Sequence, residues 1–253
     1  MAMEITEQGV LIAGGTSGIG LACARAFVGA GATVRLVGSN AGRGQAAAAA
    51  LGPRAGFLQA DCTDPAEVER MAADAAEQMG SIDTLVCSLG DTRLPELLFR
   101  QSLDDIRVSL THDVAPFFYA AHAVLPTMMA PNGSAVINIA SDAGKIATPG
   151  ESVIGAGMAA IMQFTRGLAI EGKRNGIRAN TITPSLVEGT QLTNRLMAEG
   201  SFSSKIFAKA RPLAGLGPTL PKDLAALALF LASPEAALIT GQAINVNGGI
   251  SAC

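Results

Sequence analysis

Short runs of apolar residues alternate along the chain with longer segments whose apolar positions recur every three or four residues. The short runs are bounded by glycine or polar residues and have the length of buried β-strands. They lie at 10–13, 33–37, 56–60, 85–88, 135–139, 177–182 and 243–246. The longer segments predict helices at 21–29, 41–51, 103–130, 152–172 and 222–232. A further helix is predicted to start at Asp64 and Pro65, because proline fits the first turn of a helix.

This alternation of strands and helices predicts an α/β fold. Parallel strands need long crossover connections, and helices of this length supply them with a right-handed path. We expect a single doubly wound, Rossmann-type domain over residues 1–253, with a central parallel sheet of about seven strands and helices on both faces. Neither a linker nor an internal repeat divides the sequence.

The composition excludes some classes of binding partner and indicates the cellular compartment of the protein. The chain has 18 basic and 21 acidic residues, so it has no positive field to attract nucleic acid or anionic lipid. The late apolar run 224–232 is far shorter than the ~20 residues of a membrane-spanning helix. The N-terminus does not resemble a secretory signal, and the cysteines form no CxxC pair. We therefore expect a cytoplasmic protein with reduced cysteines and no metal site.

A glycine-rich loop joins the first predicted strand to the first helix. Its glycines have the spacing GxxxGxG, which permits a tight turn and close approach of the backbone to a pyrophosphate. The N-terminus of the following helix offers free N–H groups to an anion. The candidate cofactor-binding residues in this loop are Gly14, Thr16, Ser17, Gly18, Ile19 and Gly20.

The residues after the second strand bear on which nicotinamide dinucleotide fits. An acidic side chain here would bind the adenosine ribose and repel a 2′-phosphate, but the chain has Ser39 and Asn40, with Arg43 nearby. If NAD(P) is the cofactor, NADP is therefore favoured over NAD. The alternatives are weakened binding and a solvated loop that binds no ligand.

Several of these segments together resemble the short-chain dehydrogenase/reductase family over nearly the whole chain. The resemblance rests on the glycine loop, on 137–141, on 178–184 and on the C-terminal pattern around 239–249. It implies that Asp61, Cys62 and Gly90 also belong to the cofactor site, Asp61 as the residue that contacts adenine.

The resemblance also assigns positions for catalysis, and the chain departs from the family there. Ser141 corresponds to the catalytic serine, and the family's tyrosine and lysine follow it by 13 and 17 residues. Those positions are Ile154 and Met158, and the asparagine of the family's proton relay corresponds to Asp113. The single tyrosine, Tyr119, is six residues beyond Asp113 and faces another side of the predicted helix, so we expect it to pack.

Three functions are compatible with these residues. The leading interpretation is a non-catalytic subunit that pairs with a catalytically active homologue in an NAD(P)-dependent alcohol or hydroxyacyl-CoA dehydrogenase. The dimer or tetramer would form through the helices near 103–130 and 152–172. The alternatives are an active oxidoreductase with a rewired site built on Ser141 and Asp113, and a nucleotide-sensing module. Cys87 is interpreted as a buried structural residue rather than a reactive thiol.

Overall fold

The computed structural model describes residues 4–90, 93–129 and 133–253. Seven strands form one parallel sheet: β1 (Gly9–Ala13), β2 (Thr33–Gly38), β3 (Ala55–Gln59), β4 (Thr84–Cys87), β5 (Ala135–Ile139), β6 (Arg178–Thr183) and β7 (Ala243–Asn245). Their order across the sheet is β3-β2-β1-β4-β5-β6-β7. This architecture confirms the predicted fold class, and each strand boundary lies within one residue of its predicted position.

Nine α-helices occur in the described part of the chain. They are α1 (Gly18–Gly29), α2 (Ala41–Leu51), α3 (Pro65–Met79), α4 (Leu103–Asp113), α5 (Ala115–Met128), α6 (Ser152–Gly172), α7 (Gln191–Leu196), α8 (Phe202–Ala210) and α9 (Pro221–Ala232). The helix α1 begins three residues earlier than predicted, so its first turn belongs to the glycine loop.

The helices cover both faces of the sheet and bury two apolar cores. On one face, Met71 of α3, Phe117 of α5 and Ile161 of α6 are almost completely buried. On the other face, Phe27 of α1 and Leu231 of α9 are fully buried. Because every central strand is covered on both sides, strands such as β1 and β4 are apolar throughout rather than alternating.

The prediction of one continuous helix over 103–130 was wrong. The segment forms α4 and α5, which meet at Val114. Pro116 explains the break, because it has no N–H to donate to the carbonyl of His112 four residues earlier. The break places Asp113 at the end of a helix.

The longest helix, α6, is rich in apolar residues. By length and composition alone, one helix in the described residues, Ser152–Asn175, would be long enough to cross a membrane. The apolar run at 224–232, on which the expectation of no membrane-spanning helix rested, is shorter. In the fold, Ile161 and Leu168 of this helix pack into the core beside the sheet.

The order of the strands fixes where a ligand can bind. Successive strands are added in one direction from β1 to β3 and in the other direction from β4 to β7. The loops that follow β1 and β4 therefore leave the sheet on opposite sides and open a crevice between them. The glycine loop follows β1, and Gly90 lies shortly after β4.

Candidate functional site

The glycine loop is shaped by contacts that leave no room for side chains. Gly14 has φ +78°, and a Cβ atom there would lie 2.0 Å from the carbonyl oxygen of Ser88. A Cβ atom on Gly20 would lie 2.2 Å from the carbonyl oxygen of Gly14. These positions require glycine, so the loop turns tightly between β1 and the first turn of α1.

The start of α1 offers unused donors and open space. Ser17 precedes the helix in an extended conformation, and its side chain does not cap the first-turn N–H groups. Next to it, Gly18 has φ +51°, and the nearest atom to an ideal Cβ is Cγ2 of Thr190 at 3.9 Å. Open space beside uncapped N–H groups at the positive end of a helix suits a pyrophosphate. This half of the site therefore fits a dinucleotide.

Residues after β2 place a cation beside the glycine loop. Oδ1 of Asn40 accepts a hydrogen bond from the backbone N–H of Arg43 at 2.8 Å and caps α2. The Arg43 side chain turns back, so that its Nε donates to Oγ1 of Thr16 at 3.2 Å. Ser39 is exposed at the same edge. The sequence placed these residues in one loop, and the fold joins that loop to the glycine loop.

The end of β3 carries Asp61 and Cys62. Oδ1 of Asp61 accepts hydrogen bonds from the backbone N–H and the hydroxyl of Thr63, at 2.9 and 2.8 Å. These bonds lower the pKa of Asp61, and His112 adds a smaller effect in the same direction. Burial raises the pKa of the Cys62 thiol to about 12, so this residue behaves as an apolar side chain. Asp61 is exposed and carries a negative charge at neutral pH.

A cavity of about 460 Å³ extends from the glycine loop toward the C-terminal residues. It brings together residues that are far apart in sequence and that the sequence analysis assigned to one site. They are Gly14, Ser17, Gly18, Ile19, Gly90, Asp113, Ser141, Ile154 and Met158. Thr16, Ser39, Asn40, Asp61 and Cys62 do not line this cavity.

The polar residues assigned to catalysis sit in the cavity wall. Oγ of Ser109 donates to Oδ2 of Asp113 at 3.1 Å, and Asp113 is 7% exposed. Oγ of Ser141 accepts from the backbone N–H of Ala143 at 3.2 Å, which caps a short 3₁₀ turn. The structure therefore brings Asp113 and Ser141 to the same cavity from α4 and from the end of β5.

The cavity wall formed by α6 is apolar where Ile154 and Met158 lie. The two residues are four apart and share one face of the helix. Tyr119 does not line the cavity; it is on α5 and about a third of its surface is exposed. Because Asp113 and Tyr119 lie on two different helices, the predicted change of face along one helix does not apply, and a packing role for Tyr119 stays a prediction.

Sequence reasoning missed two carboxyl groups of this site, Asp142 and Glu151. Oδ2 of Asp142 accepts from Nδ2 of Asn247 and from Oγ of Ser251, both at 3.2 Å. Burial raises the pKa of Asp142 and of Glu151, although hydrogen bonds oppose the effect in both. Glu151 precedes Ile154 by about one helical turn, so the sequence spacing alone indicated that both residues lie on the side of α6 that faces the cavity. Asn247 and Ser251, by contrast, are 105 and 109 residues from Asp142.

No group of three or more metal-ligating side chains lies close enough together, within the described ranges, to hold a metal ion. All four cysteines are free; Cys23, Cys62 and Cys87 are buried and Cys253 is exposed. Burial raises the pKa of the Cys87 thiol far above the ordinary value, and Cys87 does not line the cavity. Its placement supports the interpretation as a structural residue.

Residues 13–251 match the family profile described as Enoyl-(Acyl carrier protein) reductase. A 3-oxoacyl-[acyl-carrier-protein] reductase FabG from Chlamydia pneumoniae is 33% identical and covers 98% of this chain and 100% of its own length. The chain belongs to the short-chain dehydrogenase/reductase family. A sorbitol dehydrogenase from Cereibacter sphaeroides is also 33% identical, over 98% of both chains.

Solved structures of short-chain dehydrogenases/reductases agree with this assignment. The crystal structure of Short-chain dehydrogenase/reductase SDR:Glucose/ribitol dehydrogenase from Brucella melitensis superposes with a TM-score of 0.90 at 28% identity, covering 100% of both chains. A short-chain type dehydrogenase/reductase from Mycobacterium ulcerans has a TM-score of 0.87 at 26% identity, over 95% of this chain and 88% of its own. The predicted family is therefore confirmed.

Proposed function

We propose that this short-chain dehydrogenase/reductase is a non-catalytic subunit that binds a nicotinamide dinucleotide and pairs with a catalytically active homologue in the cytoplasm. The observation that carries the proposal is the apolar wall of the cavity at Ile154 and Met158. These residues occupy the positions at which the family resemblance places a tyrosine and a lysine.

The two substitutions remove acid–base chemistry from that wall. Isoleucine has no exchangeable proton, and the thioether of methionine carries no charge at any pH. A positioned general acid or base contributes roughly 10²–10⁴-fold to a rate, and here the supporting cation is missing as well. The expected rate of carbonyl reduction by the chain alone is therefore very low.

The cofactor half of the site supports retained binding. The donors at the start of α1, around Ser17 and Gly18, would hold the pyrophosphate, and Arg43 lies where it would meet a 2′-phosphate. NADP is therefore favoured over NAD, in agreement with the missing acidic residue after β2. When bound, a nicotinamide dinucleotide supplies hydride chemistry to a family member that has the residues to use it.

Exposed apolar residues on the helices support the pairing. On α4, Leu103 is 86% exposed and Leu110 is 46% exposed, and on α6, Ile170 is 65% exposed. The family resemblance assigns these helices to contacts between subunits. Large apolar side chains that are exposed there favour burial against another chain. A homologue with the same helices would present a matching surface.

Affinity capture of the chain from its native source, followed by native mass spectrometry, tests the proposal. We expect a complex that contains a short-chain dehydrogenase/reductase with both the tyrosine and the lysine. Recovery of the chain as a homo-oligomer alone would contradict the proposal. The purified chain should also oxidise no NAD(P)H with a panel of carbonyl substrates, while the complex does.

A second candidate is an active enzyme with a rewired site. The observation that favours it is the convergence of Ser141 and the Ser109–Asp113 pair on one cavity. In this mechanism the Asp113 carboxyl would move the proton and the Ser141 hydroxyl would orient a substrate oxygen. NAD(P)H oxidation by the pure chain that is lost in Asp113→Asn would favour this candidate, and no turnover in either protein would exclude it.

A further inference from the structure

We infer that this cleft recognises the adenosine diphosphate half of a dinucleotide and makes no selective contact with the nicotinamide half, so that it binds an adenine nucleotide irrespective of redox state. The inference deepens the proposed function and rests on nucleotide binding at the glycine loop. One half of the cleft is formed by the glycine loop, and the other half lies against α6. The two halves differ in how many polar groups are free to bond a ligand.

In the half formed by the glycine loop, the polar groups are open to a ligand. The first-turn N–H groups of α1 have no side-chain cap, and apart from its chain neighbours and the backbone of α1 the atom nearest to an ideal Cβ position on Gly18 is 3.9 Å away. The Arg43 guanidinium reaches this half through its bond to Thr16. A diphosphate, with or without a ribose phosphate, matches this combination of backbone donors and one cation.

In the other half of the cleft, three hydroxyl groups already donate to acceptors of the protein. The carbonyl oxygen of Val187 accepts from the hydroxyl groups of both Thr190 and Thr193. The Ser109 hydroxyl is committed to Asp113. A ligand that needed the protons of these hydroxyl groups would have to break existing hydrogen bonds, which offsets most of the gain from forming new ones.

The carboxyl groups of this half are engaged in the same way. Asp142 accepts from Asn247 and Ser251, and Glu151 accepts from the side chain of Thr148. Arg93 is the one cation among the described residues that line the cavity, and its Nε lies 3.1 Å from Oδ1 of Asp105. Within the described lining, each charged side chain therefore already has a partner of its own when a ligand arrives.

The helix α6 removes the remaining basis for selectivity. Met158 offers neither a proton nor a charge to a ribose hydroxyl, and Ile154 beside it offers only apolar surface. Such a wall contributes non-directional contacts of similar size for an oxidised ring, a reduced ring or another apolar group. Binding should therefore depend on the diphosphate half.

Isothermal titration calorimetry with the full-length chain tests this inference. The probes are 2′-phospho-ADP-ribose, NADP⁺, NADPH and nicotinamide mononucleotide. We expect the first three to bind with dissociation constants within fivefold of one another, and the mononucleotide to give no heat at 1 mM (roughly the affinity of a single weak contact). A larger spread among the three, binding of the mononucleotide, or no binding by any probe would overturn the inference.

Two variants and a control give an independent check, with ADP-ribose and adenosine 2′-phosphate 5′-diphosphate added to the four probes. Met158→Lys returns a cation to the wall of α6, where it would meet the second ribose, which NADPH and 2′-phospho-ADP-ribose both carry. We expect this variant to bind both of them about tenfold more tightly than adenosine 2′-phosphate 5′-diphosphate, as one charge-assisted hydrogen bond would. Arg43→Ala should weaken 2′-phospho-ADP-ribose at least fivefold while ADP-ribose is unchanged. Met158→Leu, which offers neither a proton nor a charge, is the matched control and should bind these three ligands within fivefold of one another, as we expect of the wild type.

These results are distinguishable from those that test the subunit role. A chain that binds nucleotides as inferred but is captured only with itself would contradict the pairing and leave the inference standing. A chain that is captured with an active homologue but discriminates NADPH from 2′-phospho-ADP-ribose would do the reverse.

Discussion

Arg178 lies inside the protein with its charge held by backbone carbonyl groups. It is 6% exposed, and its two terminal nitrogens donate to the carbonyl oxygens of Leu231 and Ser233. Burial lowers the pKa of this guanidinium, although an arginine stays protonated at any pH of interest. The side chain thus joins β6 to the end of α9.

Replacing this arginine should destabilise the protein substantially. In Arg178→Ala, the two carbonyl groups lose their donors and a cavity forms, so we expect the free energy of unfolding to fall by about 2–4 kcal/mol. Urea unfolding followed by circular dichroism measures the change. The exposed Arg174 is the matched control, and Arg174→Ala should stay within about 0.5 kcal/mol of the wild type. Equal effects of the two substitutions would contradict this account.

The four thiols should differ in reactivity by position. Burial raises the pKa of Cys23 and Cys62 to about 12, and that of Cys87 further still, so none of the three forms thiolate at pH 8. Cys253 is exposed. A disulfide reagent such as DTNB should therefore label one thiol promptly in the native protein and four in urea, and Cys253→Ser should abolish the prompt phase. Prompt labelling of Cys87 would contradict its interpretation as a structural residue and favour a reactive thiol.

The helix α3 begins where a local side chain satisfies its first N–H groups. Oδ1 of Asp64 accepts from the backbone N–H of Ala66 at 2.8 Å and of Glu67 at 3.4 Å, and Pro65 fills the first helical position of α3. The sequence predicted this start correctly, because both signals are local. The interruption between α4 and α5 is equally local, since it follows from Pro116, but the sequence analysis overlooked it.

The cap of α3 gives a prediction about one element. Asp64→Ala removes the acceptor for two N–H groups, so the free energy of unfolding should fall by about 0.5–2 kcal/mol. Asp64→Asn keeps an acceptor oxygen in the same place and should lose much less. Thermal unfolding of the three proteins at one pH measures both effects. A loss in the asparagine variant as large as in the alanine variant would show that the charge, and not the cap, stabilises the helix.

Across the whole molecule, Asp142 connects the end of β5 to the C-terminal residues. Besides its bonds to Asn247 and Ser251, it lies near Lys145, whose Nζ donates to the carbonyl oxygens of Ala243 and Cys253 at 2.7 and 3.0 Å. The C-terminal segment forms part of the cavity wall through Ile250 and Ser251. These contacts join residues that are between 98 and 109 positions apart.

The ionisation of Asp142 should make stability depend on pH. Burial raises its pKa in the folded state above the ordinary value of 3.8, so the folded protein holds this proton more tightly than the unfolded chain. The contribution to stability is therefore greatest below pH 3.8 and decreases as the pH rises through the folded pKa. Each tenfold difference in proton affinity between the folded and unfolded states corresponds to about 1.4 kcal/mol.

Asp142→Asn isolates this contribution, because asparagine has no proton to lose. The free energy of unfolding of the wild type minus that of the variant should decrease from about pH 3.5 to neutral pH and then stay constant. Denaturant unfolding at several pH values measures this difference, in which the other titrating groups cancel. An increase with pH would mean that the hydrogen bonds from Asn247 and Ser251 outweigh burial.

Predictions from the sequence agreed with the structure where the residues involved are close together in the sequence. The strands were predicted to within one residue because their burial on both faces makes each a short apolar run that ends at glycine or a polar residue. Gly14 and Gly20 were recognised because a loop that joins a strand to a helix is a local pattern. Asp142 was missed as a site residue, since its role depends on the distant segment that folds against it, whereas the spacing of Glu151 from Ile154 was a local signal that was not used.

The sequence by itself determined the fold class, the family and the glycine loop, and it carries the prediction that Ile154 and Met158 stand where relatives have a tyrosine and a lysine. These properties are encoded in residue identities at short, fixed spacings, which the backbone geometry of strands and helices translates directly into positions. Only the tertiary structure decided that the cavity includes Asp142 and Glu151, that Arg43 returns to Thr16, and that the hydroxyl groups of Thr190 and Thr193 are used internally. Those properties arise from packing between distant segments, where burial and hydrogen-bond partners are fixed only when the whole chain has folded.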